Sequence, residues 1–375
     1  MAEPFKNLLN PGLVRELGSH LERAWTGFPR ASFVREATRG LEALELKARA
    51  AHIARALEEA LPPAFARAVV VLERSLAPAD DRAEWKQSSG LPGVAGWAVW
   101  PMTEFVAARG LGEPARALQA LHAMTQRFTA EWAIRPFLLE HPGETFATLR
   151  SWVADPSPHV RRLVSEGSRP RLPWGVQLKP LIADPSPTLP LLAALQDDPS
   201  EYVRRSVANH LNDIAKDHPR IVAEWLERHL PGASAQRRAL LQRASRTLVK
   251  RGDQRVLQAW GIGRRLQGDA TLRVSPRRAR IGGEVLLTAT LRSTSAKPQQ
   301  LAIDYAVHRV LADGSTSPKV WKGWVIELGA RESRTLTKRR SLRPVSTRRD
   351  HPGRHAVDLV INGVVAATSE FDLRR

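Results

Sequence analysis

The 375-residue sequence contains no cysteine. This absence excludes disulfides, zinc sites with thiolate ligands and a thiol nucleophile. No apolar stretch approaches the length of a membrane span, and the N-terminal segment lacks the apolar core of a signal peptide. The phosphate-binding glycine loop, the dinucleotide-binding glycine motif and the G-x-S-x-G nucleophile motif are also absent. The sequence therefore predicts a soluble, cytoplasmic protein that works without a cofactor or a bound metal.

The charges are strongly unbalanced towards the basic side. The 57 Lys and Arg residues outnumber the 38 Asp and Glu residues, which gives a net charge of +19 and a pI near 11.2. Such an excess favours a polyanionic partner, with nucleic acid ahead of an anionic membrane surface. The alternative is a solvated, arginine-rich surface without a specific partner. The length of the chain predicts two or three domains.

Helical patterns extend from Asn10 to about Gly268. Asn10 followed by a proline predicts the start of a helix, because asparagine caps and proline fits the first helical position. The segment Leu41–Leu61 predicts one long amphipathic helix that two prolines end. This part of the chain is therefore expected to be mainly α.

An internal repeat organises the second half of the helical region. The segment DPSPHVRR at 155–162 recurs 43 positions later as DPSEYVRR at 198–205, and a degenerate copy, DPSP, begins at Asp184. A period of about 40–47 residues is typical of HEAT and armadillo repeats. In each copy the Asp-Pro-Ser triplet is expected to cap a helix. The repeat predicts a HEAT-like helical-repeat solenoid with an extended concave face.

Near Asp269 the hydrophobic pattern changes from helical to alternating. About seven short strands, with turn signals at Gly282-Gly283, Asp313-Gly314 and Asn362-Gly363, predict an antiparallel immunoglobulin-like β-sandwich without a disulfide. The predicted domains are thus a helical domain at 1–268 and a sandwich at 269–375. Residues 269–375 hold 20 Lys and Arg against 10 Asp and Glu, so the sandwich is predicted to clamp DNA phosphates.

A candidate site emerges when the repeats are aligned on their arginines. Three pairs share an i, i+4 spacing, which puts both members on one helix face: Arg127 with Glu131, Arg162 with Glu166, and Arg205 with Asn209. Equivalent positions in stacked repeats line one surface. The pattern predicts a column of Glu131, Glu166 and Asn209 interleaved with arginines. The equally weighted alternative is a ladder of salt bridges between repeats.

Two features favour a functional role for Glu166. It precedes Gly167 and a proline-rich segment, so its helix is expected to end there and its carboxylate to face a cleft. Trp174 follows eight residues later, in a loop context. Carboxylates stabilise developing positive charge, and an indole face attracts a cation by about 0.5–2 kcal/mol. A DNA glycosylase that removes a positively charged, alkylated base needs such a site.

Two further segments of the sequence carry polar patterns that are candidates for a functional role: a basic run and a set of His and Asp residues. The segment RRALLQRASRTLVKRG at 237–252 predicts a basic helix that contacts DNA phosphates, with a solvated helix face as the alternative. His210, Asp213, Asp217 and His218 have a loose metal-like spacing. That spacing fits no zinc pattern, and ordinary polar positions of a helix are the preferred interpretation.

The sequence resembles the AlkC branch of the AlkC/AlkD-like bacterial DNA alkylation-repair glycosylases over essentially its whole length. The resemblance is carried by the segments FKNLLNPGLVRELGSHL, LELKARAAHIARAL, WPMTEFV, TAEWAIRPFL, DPSPHVRRLVSEGSRPRLPW and DPSEYVRRSVANHLNDIAKDHP. The C-terminal sandwich resembles the immunoglobulin-like extension found in one subset of this branch.

The resemblance implies a monofunctional glycosylase. Such an enzyme would hydrolyse the N-glycosidic bond of cationic bases such as 3-methyladenine and 3-methylcytosine in duplex DNA, without full base flipping, and leave an abasic site. By position, Glu131 and Glu166 would be the carboxylates near the sugar, and Trp174 the aromatic side chain against it. The AlkD branch uses an aspartate and two tryptophans for similar work, so the detailed geometry is not carried over from that branch.

The expected partner is double-stranded DNA that contains alkylated bases, bound by a monomer that associates with the nucleoid. The competing hypothesis is a non-catalytic HEAT-repeat scaffold that binds DNA or an acidic protein. The predicted DNA contacts are Arg127, Arg135, Arg161, Arg162, Arg169, Arg171, Arg204, Arg205, Asn209, Arg243, Arg246 and Lys250.

Overall fold

The computed structural model describes residues 4–79, 92–261, 265–343 and 351–374. The chain divides into two compact units: the first is Met1–Asp217 with Ser234–Ala244, and the second is His218–Ala233 with Ser245–Arg375. Some helices before residue 268 thus belong to the second unit, and the predicted boundary between 268 and 269 stays a prediction. Within the described ranges, no helix has the length and apolar character needed to cross a membrane.

The regular structure before residue 268 is helical. In chain order the described α-helices are α1 (Pro11–Ala24), α2 (Arg30–Thr38), α3 (Leu46–Ala60), α4 (Phe65–Ser75), α5 (Val99–Arg109), α6 (Pro114–Thr125), α7 (Arg135–Glu140), α8 (Pro142–Trp152), α9 (Pro158–Gly167), α10 (Lys179–Ala183), α11 (Leu189–Leu195), α12 (Glu201–Asp217), α13 (Pro219–His229), α14 (Ala235–Ala244), α15 (Arg246–Arg251) and α16 (Gln254–Ala259). Helices α13, α15 and α16 belong to the second unit.

The predicted start of α1 is confirmed. Asn10 Oδ1 accepts a hydrogen bond from the backbone N–H of Leu13 at 3.0 Å, and Pro11 is the first helical residue. The side-chain oxygen therefore satisfies a donor that the first turn leaves without a partner.

The long helix predicted over Leu41–Leu61 is wrong at its start. A 3-10 turn at Leu41–Ala43 comes first, and α3 begins only at Leu46. The cause is the buried side chain of Arg49, which donates to carbonyl oxygens of the residues before α3. Its acceptors are Glu42, Leu44, Lys6 and Leu9. The bonds to Glu42 and Leu44 fix the turn and use carbonyls that a continuous helix would need.

The Asp-Pro-Ser repeat is confirmed as a structural repeat, but the expected helix cap is wrong: Ser157, the N-cap residue of α9, makes no side-chain capping bond, and the aspartate closes a turn before the helix. In each copy the aspartate Oδ1 accepts from the backbone N–H of the serine two positions later: Asp155 from Ser157 at 2.8 Å, Asp184 from Ser186 at 2.9 Å and Asp198 from Ser200 at 2.8 Å. An Asx turn of this kind orients the chain for a helix. Arg161 and Arg204, six positions after their aspartates, donate back to the aspartate carbonyl oxygens at 2.7 and 2.5 Å.

The same arginine ties one repeat to the next. Arg161 donates through Nε and Nη2 to the two carboxylate oxygens of Asp198, at 2.6 and 3.0 Å. Helix α9 packs against α12, and α12 packs against α14. The fully buried apolar residues of α9 and α12 include Val160, Leu163, Val164, Val203, Val207 and Leu211. The predicted helical-repeat architecture is therefore confirmed, while its HEAT subtype stays a prediction.

The second unit carries a β-sandwich. Its strands are β1 (Gly268–Ser275), β2 (Arg278–Arg280), β3 (Glu284–Ser293), β4 (Gln299–Val310), β5 (Thr316–Leu328), β6 (Ser333–Ser341), β7 (Gly353–Ile361) and β8 (Val364–Arg374). One sheet has the order β1-β3-β6 and the other β2-β8-β7-β4-β5. Neighbouring strands are antiparallel, apart from the parallel pair of β2 and β8. The predicted antiparallel sandwich is confirmed, with eight described strands instead of about seven.

The predicted turn between β7 and β8 is confirmed in detail. Asn362 and Gly363 both have positive φ, 51° and 79°, as a two-residue hairpin turn requires. Asn362 Oδ1 also accepts from the backbone N–H of Ala302 on β4 at 2.8 Å. The turn residue therefore fixes the hairpin against the neighbouring strand.

We expect Asp198→Asn to lower the free energy of unfolding of the first unit by about 3 kcal/mol, because it leaves the Arg161 guanidinium without its buried counter-ion. Asparagine keeps the oxygen that accepts from Ser200, so the turn is retained. Urea unfolding followed by far-ultraviolet circular dichroism measures the change. The matched control is Asp184→Asn in the exposed copy of the same turn, which should change stability by about 0.5 kcal/mol or less. Equal losses in the two variants would contradict this account.

Candidate active site

The site begins where the end of α9 touches the turn at 131–134 that precedes α7. Gly167 is the last residue of α9, and a Cβ at this position would lie 2.5 Å from Ile134 Cγ2. A larger residue would push the helix and the turn apart. The glycine that was predicted to break the helix therefore allows a close approach. This contact brings Glu131, on the turn, near Glu166, on α9.

Arg162 joins the two glutamates. Its Nη1 donates to Glu131 Oε2 at 2.7 Å, and its Nη2 lies 3.7 Å from Glu166 Oε1. The guanidinium also lies 4.9 Å from the centroid of the Tyr202 ring. Burial opposes the charged form of Arg162, but Glu131 and Glu166 outweigh burial and raise its pKa. Arg162 is therefore a fixed cation between two carboxylates.

Both carboxylate oxygens of Glu166 have partners. Oε1 accepts from Arg169 Nη1 at 2.5 Å, and Oε2 accepts from Ser206 Oγ at 2.6 Å. The side chain is only 6% exposed. Burial opposes ionisation, but Arg162, Arg169 and the Ser206 hydroxyl outweigh it, so the pKa of Glu166 lies below its ordinary value of 4.5. Glu166 is ionised at neutral pH, and the expectation that it faces an open cleft is wrong.

The ionic contacts continue to α12. Arg169 donates through Nε to Asp213 Oδ2 at 2.8 Å, and Lys216 donates to Asp213 Oδ1 at 2.8 Å. We call Glu131, Arg162, Glu166, Arg169 and Asp213 the buried ion chain. The sequence interpretation noted Asp213 after Asn209 in the third repeat and in a metal-like spacing, and it missed this contact. Its position 44 residues after Arg169 gives no local signal.

Glu131 differs from Glu166 in one respect. Its Oε2 accepts from Thr129 Oγ1 at 2.7 Å as well as from Arg162. Its Oε1 contacts no hydrogen-bond donor in the described part of the chain, and the residue is 7% exposed. One oxygen of this carboxylate is therefore held, while the other is available to a further donor.

The predicted helix face with Arg127 and Glu131 is wrong. Both residues lie between α6 and α7, outside any helix. Arg127 donates to the carbonyl oxygens of Ala77 and Ala123, at 2.7 and 2.9 Å. The i, i+4 assumption holds for Arg162 and Glu166 on α9 and fails here, because the chain leaves the helix after Thr125.

Trp174 lies on the segment that follows α9. Its side chain is 55% exposed, and its φ of +64° is unusual for a residue other than glycine. The ring stacks on Trp132 with centroids 6.3 Å apart, and Trp132 lies 4.5 Å from Trp100 by the same measure. Trp132 and Trp100 were missed as site residues. The adjacency of Trp132 to Glu131 in the sequence was an available signal.

Burial contradicts two of the predicted DNA contacts. Arg135 is 0% exposed and donates to backbone carbonyl oxygens, and Arg169 is buried within the ion chain. Side chains in these positions do not reach a phosphate. Four of the other predicted DNA contacts also pair within the protein: Arg161 with Asp198, Arg162 with Glu131, Arg171 with Asp217, and Arg204 with the carbonyl oxygens of Asp198 and Pro199. The ladder of salt bridges is thus present, and DNA contact by these four residues stays a prediction.

Arg205 and Asn209 lie on the accessible side of α12. Arg205 is exposed, Asn209 is half-buried, and neither has a hydrogen-bond or ion-pair partner among the described side chains. Arg205 lines a groove of about 410 Å³ between α12 and α14. The other lining residues are Glu201, Arg204, Ala208, Ala235, Gln236, Ala239, Leu240 and Arg243. The groove offers guanidinium groups to a bound anion.

The single basic helix predicted at 237–252 is wrong. The segment forms two helices, α14 and α15, which Ser245 separates and which belong to different units. Arg243, on α14, and Arg246 and Lys250, on α15, are exposed. Their contact with DNA stays a prediction. Arg237 forms a salt bridge with Asp197 in the first unit.

His210 is buried beside the ion chain. Its Nδ1–H donates to the carbonyl oxygen of Ser165 at 2.9 Å, and burial lowers its pKa to about 3. The ring is therefore neutral and holds the residue that precedes Glu166. In the described ranges, no three His, Asp or Glu side chains are arranged to bind a metal ion.

Two known proteins match this chain over essentially its whole length. A family model described as "Uncharacterised protein YhaZ, C-terminal Ig-like domain" matches residues 269–375. The uncharacterized protein YhaZ of Bacillus subtilis (strain 168) is 33% identical over 375 residues, which cover 98% of this chain and 99% of that protein. The structure of Pseudomonas fluorescens alkylpurine DNA glycosylase AlkC, bound to DNA containing an abasic site analog, is 32% identical, covers 100% of both chains and gives a TM-score of 0.84. These matches confirm that the sandwich is immunoglobulin-like.

We expect the free energy of unfolding to fall as the pH drops below 6.5, because unfolded His210 binds a proton at its ordinary pKa of 6.5 and buried His210 does not. The contribution of neutral His210 to the free energy of unfolding is complete above pH 6.5. Below pH 6.5 it declines by about 1.4 kcal/mol per pH unit. Urea unfolding between pH 7 and pH 5 measures this slope. This pH range lies above the ordinary pKa of Glu166, 4.5.

The matched variant is His210→Gln, which does not titrate in this range. Its free energy of unfolding should fall by about 2 kcal/mol less than that of the wild-type protein between pH 6.5 and pH 5. Parallel pH curves for the two proteins would show that His210 makes no such contribution.

Proposed function

Because the chain belongs to the AlkC-like family, in the group that carries a C-terminal immunoglobulin-like domain, we propose that it is a DNA glycosylase. In this proposal it hydrolyses the N-glycosidic bond of alkylated bases in duplex DNA and leaves an abasic site. The substrates are cationic bases such as 3-methyladenine and 3-methylcytosine. The enzyme is monofunctional and monomeric.

The observation that carries this proposal is the match to AlkC over the full length of both chains. That protein is an alkylpurine DNA glycosylase, and its structure contains DNA with an abasic site analog. The geometry of the candidate site supports the same chemistry. Two carboxylates lie on either side of Arg162, and an exposed tryptophan follows α9. The net charge of +19 supports a polyanionic substrate.

A cationic base needs little help to leave. When the bond between C1′ and the base nitrogen breaks, the base takes the bonding electrons and departs neutral. The sugar becomes an oxocarbenium-like cation, and a water oxygen forms the new bond to C1′. An ionised carboxylate near the sugar stabilises that charge, and such preorganised groups contribute strongly in a dry site. The water proton passes to a carboxylate or to solvent.

The two glutamates have different roles in this proposal. Oε1 of Glu131 has no donor in the described structure, so it is the oxygen that faces the sugar and orients the water. Both oxygens of Glu166 are occupied by Arg169 and Ser206. Glu166 adds negative charge and holds Arg162, which in turn orients Glu131. Trp174 presents its exposed ring to the deoxyribose or the lesion edge, and the base is released without full flipping in this proposal.

DNA binding is assigned to the arginines that are accessible. Arg205 and Arg243 line the groove between α12 and α14, and Asn209 lies one turn further along α12. Arg246 and Lys250 add exposed charge in the second unit. Guanidinium groups bind phosphates in a bidentate manner and release counterions, which gives affinity without sequence preference.

We expect Glu131→Gln to lower the single-turnover rate of base release from methylated duplex DNA by about 100-fold, because a neutral amide cannot stabilise the sugar cation. Glu166→Gln should lower the rate by a smaller factor, since it acts through Arg162. The matched control is Glu73→Gln, which alters a glutamate that also pairs with an arginine, Arg116, in the first unit.

Three outcomes of this assay are informative. Undiminished release by both variants would remove the carboxylate assignment. A larger loss for Glu166→Gln than for Glu131→Gln would reverse the two roles. DNA binding without base release by the wild-type protein would favour the non-catalytic scaffold.

We expect Arg205→Ala to weaken binding to undamaged duplexes of different sequence by similar factors, because Arg205 would contact phosphate rather than bases. The slope of log affinity against log salt concentration should fall in magnitude by about 1. Fluorescence anisotropy across a salt series measures both quantities. Arg39→Ala is the matched control, since Arg39 is an exposed arginine that pairs with Glu36 on α2. An unchanged slope for Arg205→Ala would remove this residue from the DNA interface.

A further inference from the structure

Arg135 grips the segment that carries Trp174. Its Nε donates to the carbonyl oxygen of Val176 at 2.6 Å. Its Nη1 donates to the carbonyl oxygens of Gly167 and Arg169, both at 2.8 Å. The three acceptors lie at the two ends of the segment 167–176. One guanidinium therefore ties both ends of this segment to the start of α7.

This arrangement is unfavourable for Arg135 itself. The side chain is 0% exposed, and its Nη2 contacts no acceptor among the described atoms. Burial, together with repulsion by Arg169, lowers the pKa of Arg135 to about 10. A buried cation with an unsatisfied donor is destabilising. The three backbone carbonyl acceptors offset part of this cost and fix the segment that supplies them.

The enforced conformation is strained at Trp174. A φ of +64° brings the Cβ of an L-residue close to the backbone and is rare for a bulky side chain. Such strain persists where the surroundings over-determine the backbone, and it concentrates at functional sites. Two further contacts hold the backbone around Trp174. Lys47 donates to the Trp174 carbonyl oxygen, and Trp132 Nε1 donates to the Pro173 carbonyl oxygen at 3.3 Å.

Gly175 completes the clamp. A Cβ at this position would lie 3.1 Å from Nε and 3.2 Å from Cδ of Arg135. These distances are tighter than ordinary van der Waals contacts, so a side chain at position 175 would push the Arg135 side chain and the segment apart by a few tenths of an ångström. Trp174 is left with a 55% exposed ring on a backbone that is held on both sides.

We propose that Arg135 is a positioning residue that holds the segment 167–176 so that Trp174 presents its ring to the DNA before binding. The inference rests on the proposed function for the role of Trp174. The inference gives a role in base release to Arg135, a residue that touches neither the DNA nor the reacting atoms. Preorganisation of this kind matters because a displacement of about 1 Å can lower a rate by about 100-fold.

The experiment compares Arg135→Lys with Arg49→Lys in the full chain. Lysine keeps the charge but cannot bridge three carbonyl oxygens in one plane. Arg49 is the matched control, because it is also buried and donates to four carbonyl oxygens, all outside the segment 167–176. Hydrogen–deuterium exchange reports on the amides of Gly175 and Leu178, which donate to Leu172 and Pro170 within the segment. The second readout is single-turnover base release at saturating enzyme.

We expect Arg135→Lys to accelerate amide exchange in the segment and to lower base release about tenfold, with duplex affinity within about twofold. Arg49→Lys should leave both readouts of this segment unchanged. In a Trp174→Ala background, Arg135→Lys should lower base release no further, because the ring that it positions is gone. Gly175→Ala should give the same signature as Arg135→Lys, which keeps the test decisive where Arg135→Lys fails to fold.

Unchanged exchange in both Arg135→Lys and Gly175→Ala would overturn the proposal. An equal loss of base release with and without the Trp174 ring would also overturn it, since Arg135 would then act through the ion chain. If the wild-type protein releases no base, the proposed function fails, and the exchange measurement alone decides whether Arg135 holds the segment.

Discussion

The buried ion chain from Glu131 to Asp213 is the constraint on which the candidate site depends. Removing two ions from water costs more than their attraction returns unless the remaining hydrogen-bond positions are filled. At Glu166 this condition is met by Arg162, Arg169 and Ser206, which come from α9, the segment after it and α12. A shift of any of these elements would leave a buried charge without its partner. The packing of the repeats and the separation of the two glutamates are therefore fixed by the same contacts.

Local features of this chain were predictable from its sequence, and non-local ones were not. The cap at Asn10, the Asp-Pro-Ser turns and the hairpin at Asn362 each depend on a few adjacent residues, so their sequence signals are sufficient. Arg127 and Glu131 have the same spacing as Arg162 and Glu166, yet α6 ends at Thr125, before either of them. The contact of Arg169 with Asp213 spans 44 positions, and no periodicity within one helix could indicate it.

The arginines show why net charge overestimates the number of DNA contacts. Arginine has a planar group with five donors, which suits buried carbonyl oxygens and carboxylates as well as phosphates. Arg49 and Arg135 fix backbone segments, while Arg161 and Arg169 join repeats. From the sequence these residues look the same as Arg205, which is exposed. Only the positions of their acceptors distinguish a structural arginine from one that is available to a phosphate.

The protonation state of the site also bears on which bases the proposed enzyme would release. Arg162 and Arg169 hold the pKa of Glu166 below its ordinary value, so at neutral pH it cannot donate a proton. His210 is neutral, and its Nδ1–H is already donated to the Ser165 carbonyl oxygen. An unmodified purine is a poor leaving group unless it gains a proton, whereas an alkylated cation already carries the positive charge. An ionised Glu166 cannot supply that proton to an unmodified purine, whereas a cationic base does not need it. The arginines that stabilise the fold around Glu166 would thus also limit the release of bases that need a proton to leave.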